Sequence, residues 1–120
     1  MVSLEMMLGM SGNDPAENSP PLAEAETVMA LLGERMRWRA LRALADGSHL
    51  TVQMLAKRAG CHPDLMSRHL AKLRRAGLVR QVHPDGGNRR YHHYEIPAAY
   101  RREGPAGRRE IDYGVVALRF

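Results

Sequence analysis

Glycines at positions 47, 60 and 77 divide the middle of the chain into short segments, and this spacing constrains the fold more than any other feature. Before each glycine, apolar residues recur every three or four positions, which is the period of an amphipathic helix. Glycine is common directly after a helix because its backbone readily adopts the left-handed conformation that ends helices. The pattern therefore predicts a series of short helices that pack on one core.

The periodic segments predict four helices with recognisable ends. They lie within residues 22–32, from Glu34 to Ala45, from Val52 to Ala59 and from Pro63 to Ala76. Thr51 suits the N-cap of the third helix, because its hydroxyl can accept a hydrogen bond from an unpaired amide. Pro63 suits the first position of the fourth helix, where no amide donor is needed. The pattern leaves open whether Gly33 separates the first two helices or only bends them.

After Gly77 the pattern changes to that of a β-hairpin. Residues 78–82 form the first predicted strand, and residues 83–88 are dense in turn-forming residues. Residues 89–96 form the returning strand, which Pro97 ends. The fold class predicted from these elements is mainly α with a small antiparallel β-sheet.

The two ends of the chain differ from this middle part. Residues 1–21 are predicted to be a flexible arm, since 11–21 are rich in Pro, Ser and Asn and offer little to bury. The predicted domain spans 22–97, followed by an extension over 98–120. Within the extension, 101–109 are expected to form a loop, and 111–120 are β-prone. That last segment either adds a third strand to the hairpin or pairs with another subunit.

Charge is distributed unevenly along the chain. Residues 1–32 carry a net charge of −5, residues 33–102 carry +10, and residues 103–120 are neutral, which gives the overall +5. A basic stretch of this length is typical of a module that binds a polyanion. A solvated arginine-rich helix surface would give the same count, so charge alone does not decide.

Several classes of protein are disfavoured by composition. A single cysteine, Cys61, excludes a disulfide framework within the chain. One Phe and one Trp disfavour an aromatic platform for single-stranded nucleic acid. No apolar run approaches the ~20 residues of a membrane span. Glu5 and the lack of an early Lys or Arg argue against a secretory signal, so a cytoplasmic protein without membrane association is expected.

Two stretches carry a resemblance to a known family. Residues 36–47, MRWRALRALADG, resemble the second helix of ArsR-like bacterial repressors. Residues 51–60 followed by 67–79, SRHLAKLRRAGLV, are similar to the helix-turn-helix of that family and its exit into the wing. The resemblance covers about Leu31 to Pro97. It implies a winged helix-turn-helix fold and a homodimer that binds double-stranded DNA, although the family's C-terminal helix is here replaced by 111–120.

The fourth helix is then the expected recognition helix. A helix fits the major groove, where each base pair shows a distinct pattern of donors and acceptors. Arg68 is the main candidate for base reading because a guanidinium can bond two acceptors of guanine. His69 either bonds a backbone phosphate or packs beside Leu70. The candidate DNA contacts on this helix are His62, Asp64, Leu65, Ser67, Arg68, His69 and Lys72.

Two further sets of residues are expected to contact the DNA backbone. Asn88, Arg89 and Arg90 follow the Gly-Gly turn of the hairpin, where a wing meets the backbone or the minor groove. Thr51 and Gln53, at the start of the third helix, are secondary phosphate contacts. An ordinary charged hairpin is the alternative interpretation of the wing residues.

Other chemistry is less well supported. The six histidines lie between His49 and His93, but neighbours such as His92 and His93 point to opposite faces of a strand. ArsR-like metal sensors carry a cysteine pair on the third helix, which this chain lacks. No catalytic motif stands out, so we predict neither an enzyme nor a bound metal or cofactor. The prediction is a sequence-specific transcriptional regulator, with repression as the expected outcome. Alternatives are a metal- or ligand-responsive sensor and a protein-interaction module of the same fold.

Overall fold

Helices fill the first half of the structure and short strands the second. The structure is a computed structural model and describes residues 21–83 and 92–120. The helices of this part are α1 (Ala25–Leu32), α2 (Arg35–Leu44), α3 (Val52–Ala59) and α4 (Pro63–Arg75). The strands are β1 (Leu50–Thr51), β2 (Arg80–Val82), β3 (His93–Glu95), β4 (Arg101–Glu103), β5 (Arg109–Asp112) and β6 (Ala117–Arg119). Two 3-10 helices, Ala98–Tyr100 and Pro105–Gly107, flank β4. None of the described helices is long and apolar enough to cross a bilayer.

Local capping explains where the helices begin and end. The Thr51 hydroxyl accepts a hydrogen bond from the amide of Met54 at 3.2 Å, which confirms Thr51 as the N-cap of α3. Gly60 ends α3 with φ +81° and ψ +38°, a left-handed conformation that costs a residue with a Cβ roughly 1–2 kcal/mol. Gly33 separates α1 from α2, and Glu34 caps α2 by accepting from the amide of Arg37 at 2.8 Å.

The core forms where the inner faces of α2, α3 and α4 meet Leu78 and Val79, the two residues that precede β2. Because the helices are short, each of these three contributes only three buried apolar residues. Burying one leucine completely contributes roughly 1.5–3 kcal/mol, so these few side chains supply much of the stability. The largest fully buried side chains of this part of the core are Leu41, Leu44, Leu55, Met66, Leu70, Leu73, Leu78 and Val79.

The first sheet is antiparallel and has the order β1-β3-β2. Its hairpin register pairs Arg80 with Glu95 and Val82 with His93. Leu50 and Thr51, at the end of a segment expected only as a short extended link, form the third strand. This edge strand ties the beginning of α3 to the hairpin.

The second sheet corrects the prediction for residues 98–120. Residues 101–109 are not a single loop, because β4 forms at their start and pairs with β5. Residues 111–120 are not one long strand that joins the hairpin. They turn back on themselves and give the order β4-β5-β6, with Ile111 opposite Leu118. The extension is thus a separate three-stranded sheet within the same chain.

Three contacts attach this C-terminal sheet to the helices. The hydroxyl of the buried Tyr113 donates a hydrogen bond to the carbonyl of Leu78 at 2.8 Å. The rings of Trp38 and Phe120 lie with their centroids 4.9 Å apart. Ile111, Tyr113 and Leu118 are buried together with the helical side chains in one core. The sheet is therefore an integral part of the domain.

Candidate nucleic-acid interface

The polar face of α4 is open to solvent at its N-terminal end. Met66, Leu70 and Leu73 point inward, and the positions between them point outward because the helix repeats every 3.6 residues. Leu65 is 40% exposed, which confirms its place on the outer side. Six of the seven predicted recognition residues are exposed, namely His62, Asp64, Leu65, Ser67, Arg68 and Lys72.

His62 has a structural task that the sequence analysis missed. Its Nδ1 accepts a hydrogen bond from the amide of Asp64 at 3.1 Å, so the imidazole is the N-cap of α4. A neutral ring that accepts at Nδ1 carries its proton on Nε2. The exposed Nε2–H is then available as a donor beside the N-terminus of the helix. Histidine is not among the strongly preferred N-cap residues, which is why sequence alone did not suggest this role.

Arg68 stands on the exposed face without a competing partner. Its guanidinium makes no ion pair within residues 21–83 and 92–120, and Asp64 lies one helical turn earlier on the same face. The carboxylate of Asp64 lies in the first turn, where the helix dipole favours a negative charge. Lys72 continues the stripe one turn further along. Along this face the carboxylate of Asp64 is therefore followed by the guanidinium of Arg68, which can donate two parallel hydrogen bonds, and then by the positive charge of Lys72.

His69 lies off this face, unlike the other predicted recognition residues. It is only 8% exposed and points toward the junction between α1 and α2. Its Nδ1 lies 3.1 Å from a guanidinium nitrogen of Arg37, and its Nε2 lies 3.5 Å from a carboxylate oxygen of Glu34. Burial lowers the pKa of His69, and the nearby cations Arg37 and Lys72 lower it further against the opposing effect of Glu34. This placement favours the packed alternative for His69.

The start of α3 lies next to the first sheet. Gln53 is exposed and Thr51 is half-buried. The Thr51 hydroxyl accepts the capping bond from Met54, and its own O–H remains available as a donor. Both side chains thus sit beside the unpaired amides at the N-terminus of a helix, where anions bind favourably.

A buried carboxylate fixes the base of the hairpin. Glu95 is 5% exposed, forms an ion pair with Arg80 on the adjacent strand, and has a carboxylate oxygen 2.7 Å from Nε2 of His49. The sequence analysis missed Glu95, because its partners became visible only once the strand register was known. Asn88, Arg89 and Arg90, the predicted wing contacts, lie outside the described residues.

The histidine-rich stretch brings two rings together where β2 ends and β3 begins. His83 and His92 have ring centroids 5.0 Å apart in an edge-to-face arrangement. Within the described part of the chain, no group of three or more His, Cys, Asp or Glu side chains is placed to share a metal ion.

Comparisons with known proteins agree with this arrangement. Residues 34–90 match the family model described as the MarR family. The matched segment is just under half of the chain and contains α2, α3, α4 and β2. No curated protein matches the chain. The match supports the broader expectation, a winged helix-turn-helix regulator, rather than an ArsR-like protein in particular.

Two solved structures resemble the chain. Reduced HlyU from Vibrio cholerae N16961 is 28% identical, covers 60% of this chain and 70% of its own length, and has a TM-score of 0.52. NolR from Sinorhizobium fredii is 23% identical, with coverages of 62% and 69% and a TM-score of 0.54, which shows likeness of fold alone. The winged helix-turn-helix fold is confirmed by these comparisons and by the element order.

Proposed function

We propose that this protein is a sequence-specific transcriptional regulator that inserts α4 into the major groove of double-stranded DNA. The observation that carries the proposal is the open polar face at the N-terminal end of α4, where Arg68 has no partner among the described residues. A guanidinium left free on a rigid helix is available for bidentate bonding to O6 and N7 of guanine. The basic stretch 33–102 and the resemblance to winged helix-turn-helix regulators support the same assignment.

The spacing along α4 suits the reading of neighbouring base pairs. Asp64 and Arg68 are four residues apart, which is about 6 Å along the helix axis. Asp64 has the chemistry to accept a hydrogen bond from N4 of cytosine, and Arg68 bonds guanine. Leu65, also on this face, suits the methyl group of thymine. His62 and Ser67 provide hydrogen-bonding groups for a base or for the adjacent phosphate.

Contacts to the DNA backbone hold the helix in register. Thr51 and Gln53 lie at the N-terminus of α3, where a phosphate is favoured by unpaired amides and the helix dipole. Lys72 is a point charge suited to a phosphate further along the groove. We assign the wing residues Asn88, Arg89 and Arg90 to the backbone or the minor groove, from the sequence pattern. We further propose that two copies bind a two-fold symmetric site as a homodimer and that bound protein represses transcription.

Selection of bound duplexes from a random pool tests the proposal, and two variants assign the roles. Arg68→Ala is expected to weaken binding to the selected site by about 1–3 kcal/mol and to relax preference at one base pair. Lys72→Ala, the matched variant one turn away, is expected to weaken all duplexes alike. Failure to enrich any sequence would refute sequence-specific binding, and unchanged preference in Arg68→Ala would refute the reading role of Arg68.

The wing is tested by the salt dependence of binding. Replacing both Arg89 and Arg90 by alanine removes up to two phosphate contacts. The slope of log affinity against log salt should then become shallower by up to about two units. An unchanged slope would show that the wing does not contact the backbone.

A further inference from the structure

A cleft lined with arginines lies between the helices and the C-terminal sheet. Its volume is about 400 Å³, and its guanidiniums come from three elements. Arg39 and Arg42 are on the outer face of α2, Arg58 is in the last turn of α3, and Arg109 opens β5. An adjoining cleft of about 360 Å³ shares Arg42 and Arg109 and adds Arg108. None of these residues is used in the proposed contact with DNA.

Part of this cluster is held in place by the fold. Arg39 donates from Nη1 to the carbonyl of Ala59 at 2.7 Å, which fixes its guanidinium at the C-terminal end of α3. Arg109 lies on a strand that is paired on both sides. Arg42 follows Arg39 by three residues and therefore shares its face of α2. The positive groups converge because the packing of α2, α3 and β5 brings them together.

The cleft contains much less negative charge than positive charge. Among the described residues that line it, the one acidic residue is Asp46, whose carboxylate oxygen lies 3.9 Å from Nη1 of Arg109. Burial raises the pKa of Asp46, but hydrogen bonds from Ser48 and the charges of Arg109 and Arg58 outweigh it, so the pKa is below its ordinary value. Asp46 is therefore a full negative charge at neutral pH. Arg42 and Arg58 make no ion pair with any described residue. One carboxylate does not balance four guanidiniums, so the guanidiniums repel one another. A further anion bound between them would reduce this repulsion.

We propose that this cleft binds a small ligand with two or more phosphate groups. Guanidiniums bind phosphate oxygens through paired, charge-assisted hydrogen bonds, and several of them suit a multiply charged anion. The cleft volume is in the range of ordinary small-molecule sites. The C-terminal sheet acquires a role as well, because β5 supplies Arg109 as the wall opposite α2. This binding does not depend on the proposed contact with DNA.

The cleft and the expected contacts to the DNA backbone lie at opposite ends of α3. Thr51 and Gln53 are at the N-terminal end of α3, whereas Arg58 is in its last turn. Seven residues of α-helix separate Thr51 from Arg58, a distance of about 10 Å along the axis. A phosphate of bound duplex is the other possible source of the same chemistry, and the experiment distinguishes the two.

The test is a calorimetric titration of the full chain with inorganic pyrophosphate at constant ionic strength. We expect saturable binding with one pyrophosphate per chain. Arg42→Gln and Arg109→Gln should each raise the Kd at least about tenfold, since each removes a charge-assisted contact. Arg74→Gln is the matched control, because Arg74 is an exposed arginine of α4 outside the cleft. It should leave the Kd within a factor of about two. Circular dichroism and the melting temperature without ligand show whether each variant is folded.

Three results would overturn the proposal. One is the absence of saturable binding to the folded wild-type chain. Another is a loss of affinity in Arg74→Gln as large as that in Arg42→Gln, since it would indicate diffuse attraction to a basic surface. The third is a Kd unchanged in both cleft variants.

Measuring duplex binding with the same variants identifies the source of the phosphate. If pyrophosphate does not bind while Arg42→Gln and Arg109→Gln flatten the salt slope of duplex binding, the arginines contact the DNA backbone and the small-ligand site is refuted. Arg68→Ala should leave pyrophosphate binding unchanged whether or not it reads a base. Failure of the proposed DNA reading is thus distinguishable from failure of the cleft.

Discussion

The left-handed glycine between α3 and α4 provides a prediction whose size follows from the backbone. Gly60 has φ +81°, and a Cβ placed there would lie 3.8 Å from the nearest heavy atom, a nitrogen of Arg39. That distance is an ordinary contact, so Gly60→Ala introduces no clash. The cost is the left-handed conformation itself, about 1–2 kcal/mol for a residue with a Cβ.

Gly33 is the matched control for this substitution. Its φ is −73°, in the helical region, and a Cβ there would meet its nearest heavy atom at 3.6 Å. Replacing either glycine by alanine restricts the unfolded chain equally and adds about 0.4–1 kcal/mol of stability. This gain in stability is the same for both variants, so it cancels when their free energies of unfolding are compared. Gly60→Ala should therefore be about 1–2 kcal/mol less stable than Gly33→Ala, and only the native conformation accounts for the difference.

Thermal unfolding followed by circular dichroism measures the comparison. For a domain of this size, 1 kcal/mol corresponds to roughly 4 °C, so the two melting temperatures should differ by about 4–8 °C. Denaturant unfolding at 25 °C gives the free energies directly. Equal stabilities of the two variants would refute the argument that the turn of the helix-turn-helix requires a left-handed residue.

Two further predictions concern buried polar groups. Tyr113→Phe should cost about 1–3 kcal/mol because the buried carbonyl of Leu78 loses its donor. Tyr100→Phe is the control, since its hydroxyl makes no hydrogen bond to a described residue, and an equal loss in both variants would contradict the reasoning. Because burial lowers the pKa of His69, the unfolded chain binds a proton at higher pH than the folded chain does. The free energy of unfolding should therefore fall as the pH drops below about 6.5. Denaturant titrations at pH 7.5, 6 and 5 check this, and the same pH dependence in His69→Gln would rule out His69 as its source.

The parts of the fold that were predictable depend on local signals. The third helix was predicted with its observed bounds, and the second and fourth within one residue at either end. Thr51, Gly60 and Pro63 act within one helical turn of their own positions, so their effects can be read without knowing the fold. The exposed face of α4 followed in the same way from a period of 3.6 residues.

The parts that were missed depend on pairing between distant residues. β1 is two residues long and exists only because Tyr94 and His93 lie beside it. The C-terminal sheet depends on the pairing of β5 with both β4 and β6, which the local turn at Asp112 and Gly114 does not by itself reveal. The sequence left open whether His69 packs or contacts phosphate, because its partners are more than thirty residues away. Neither register nor burial of this kind can be read from one segment.

The arginines of α2 show why net charge alone does not locate a binding surface. Arg37 points inward, donates to the carbonyl of Leu31 and holds the ring of His69, so it joins α1 to α4. Arg39, two residues later, holds the end of α3. Arg42 faces solvent and has no partner among the described residues. Their neighbours in the sequence are much alike, and only the helix period and the packing of the next element give them different roles. The basic excess of residues 33–102 is therefore divided between fixing the helix-turn-helix and presenting free guanidiniums on two separate surfaces, and each surface requires its own variant to test it.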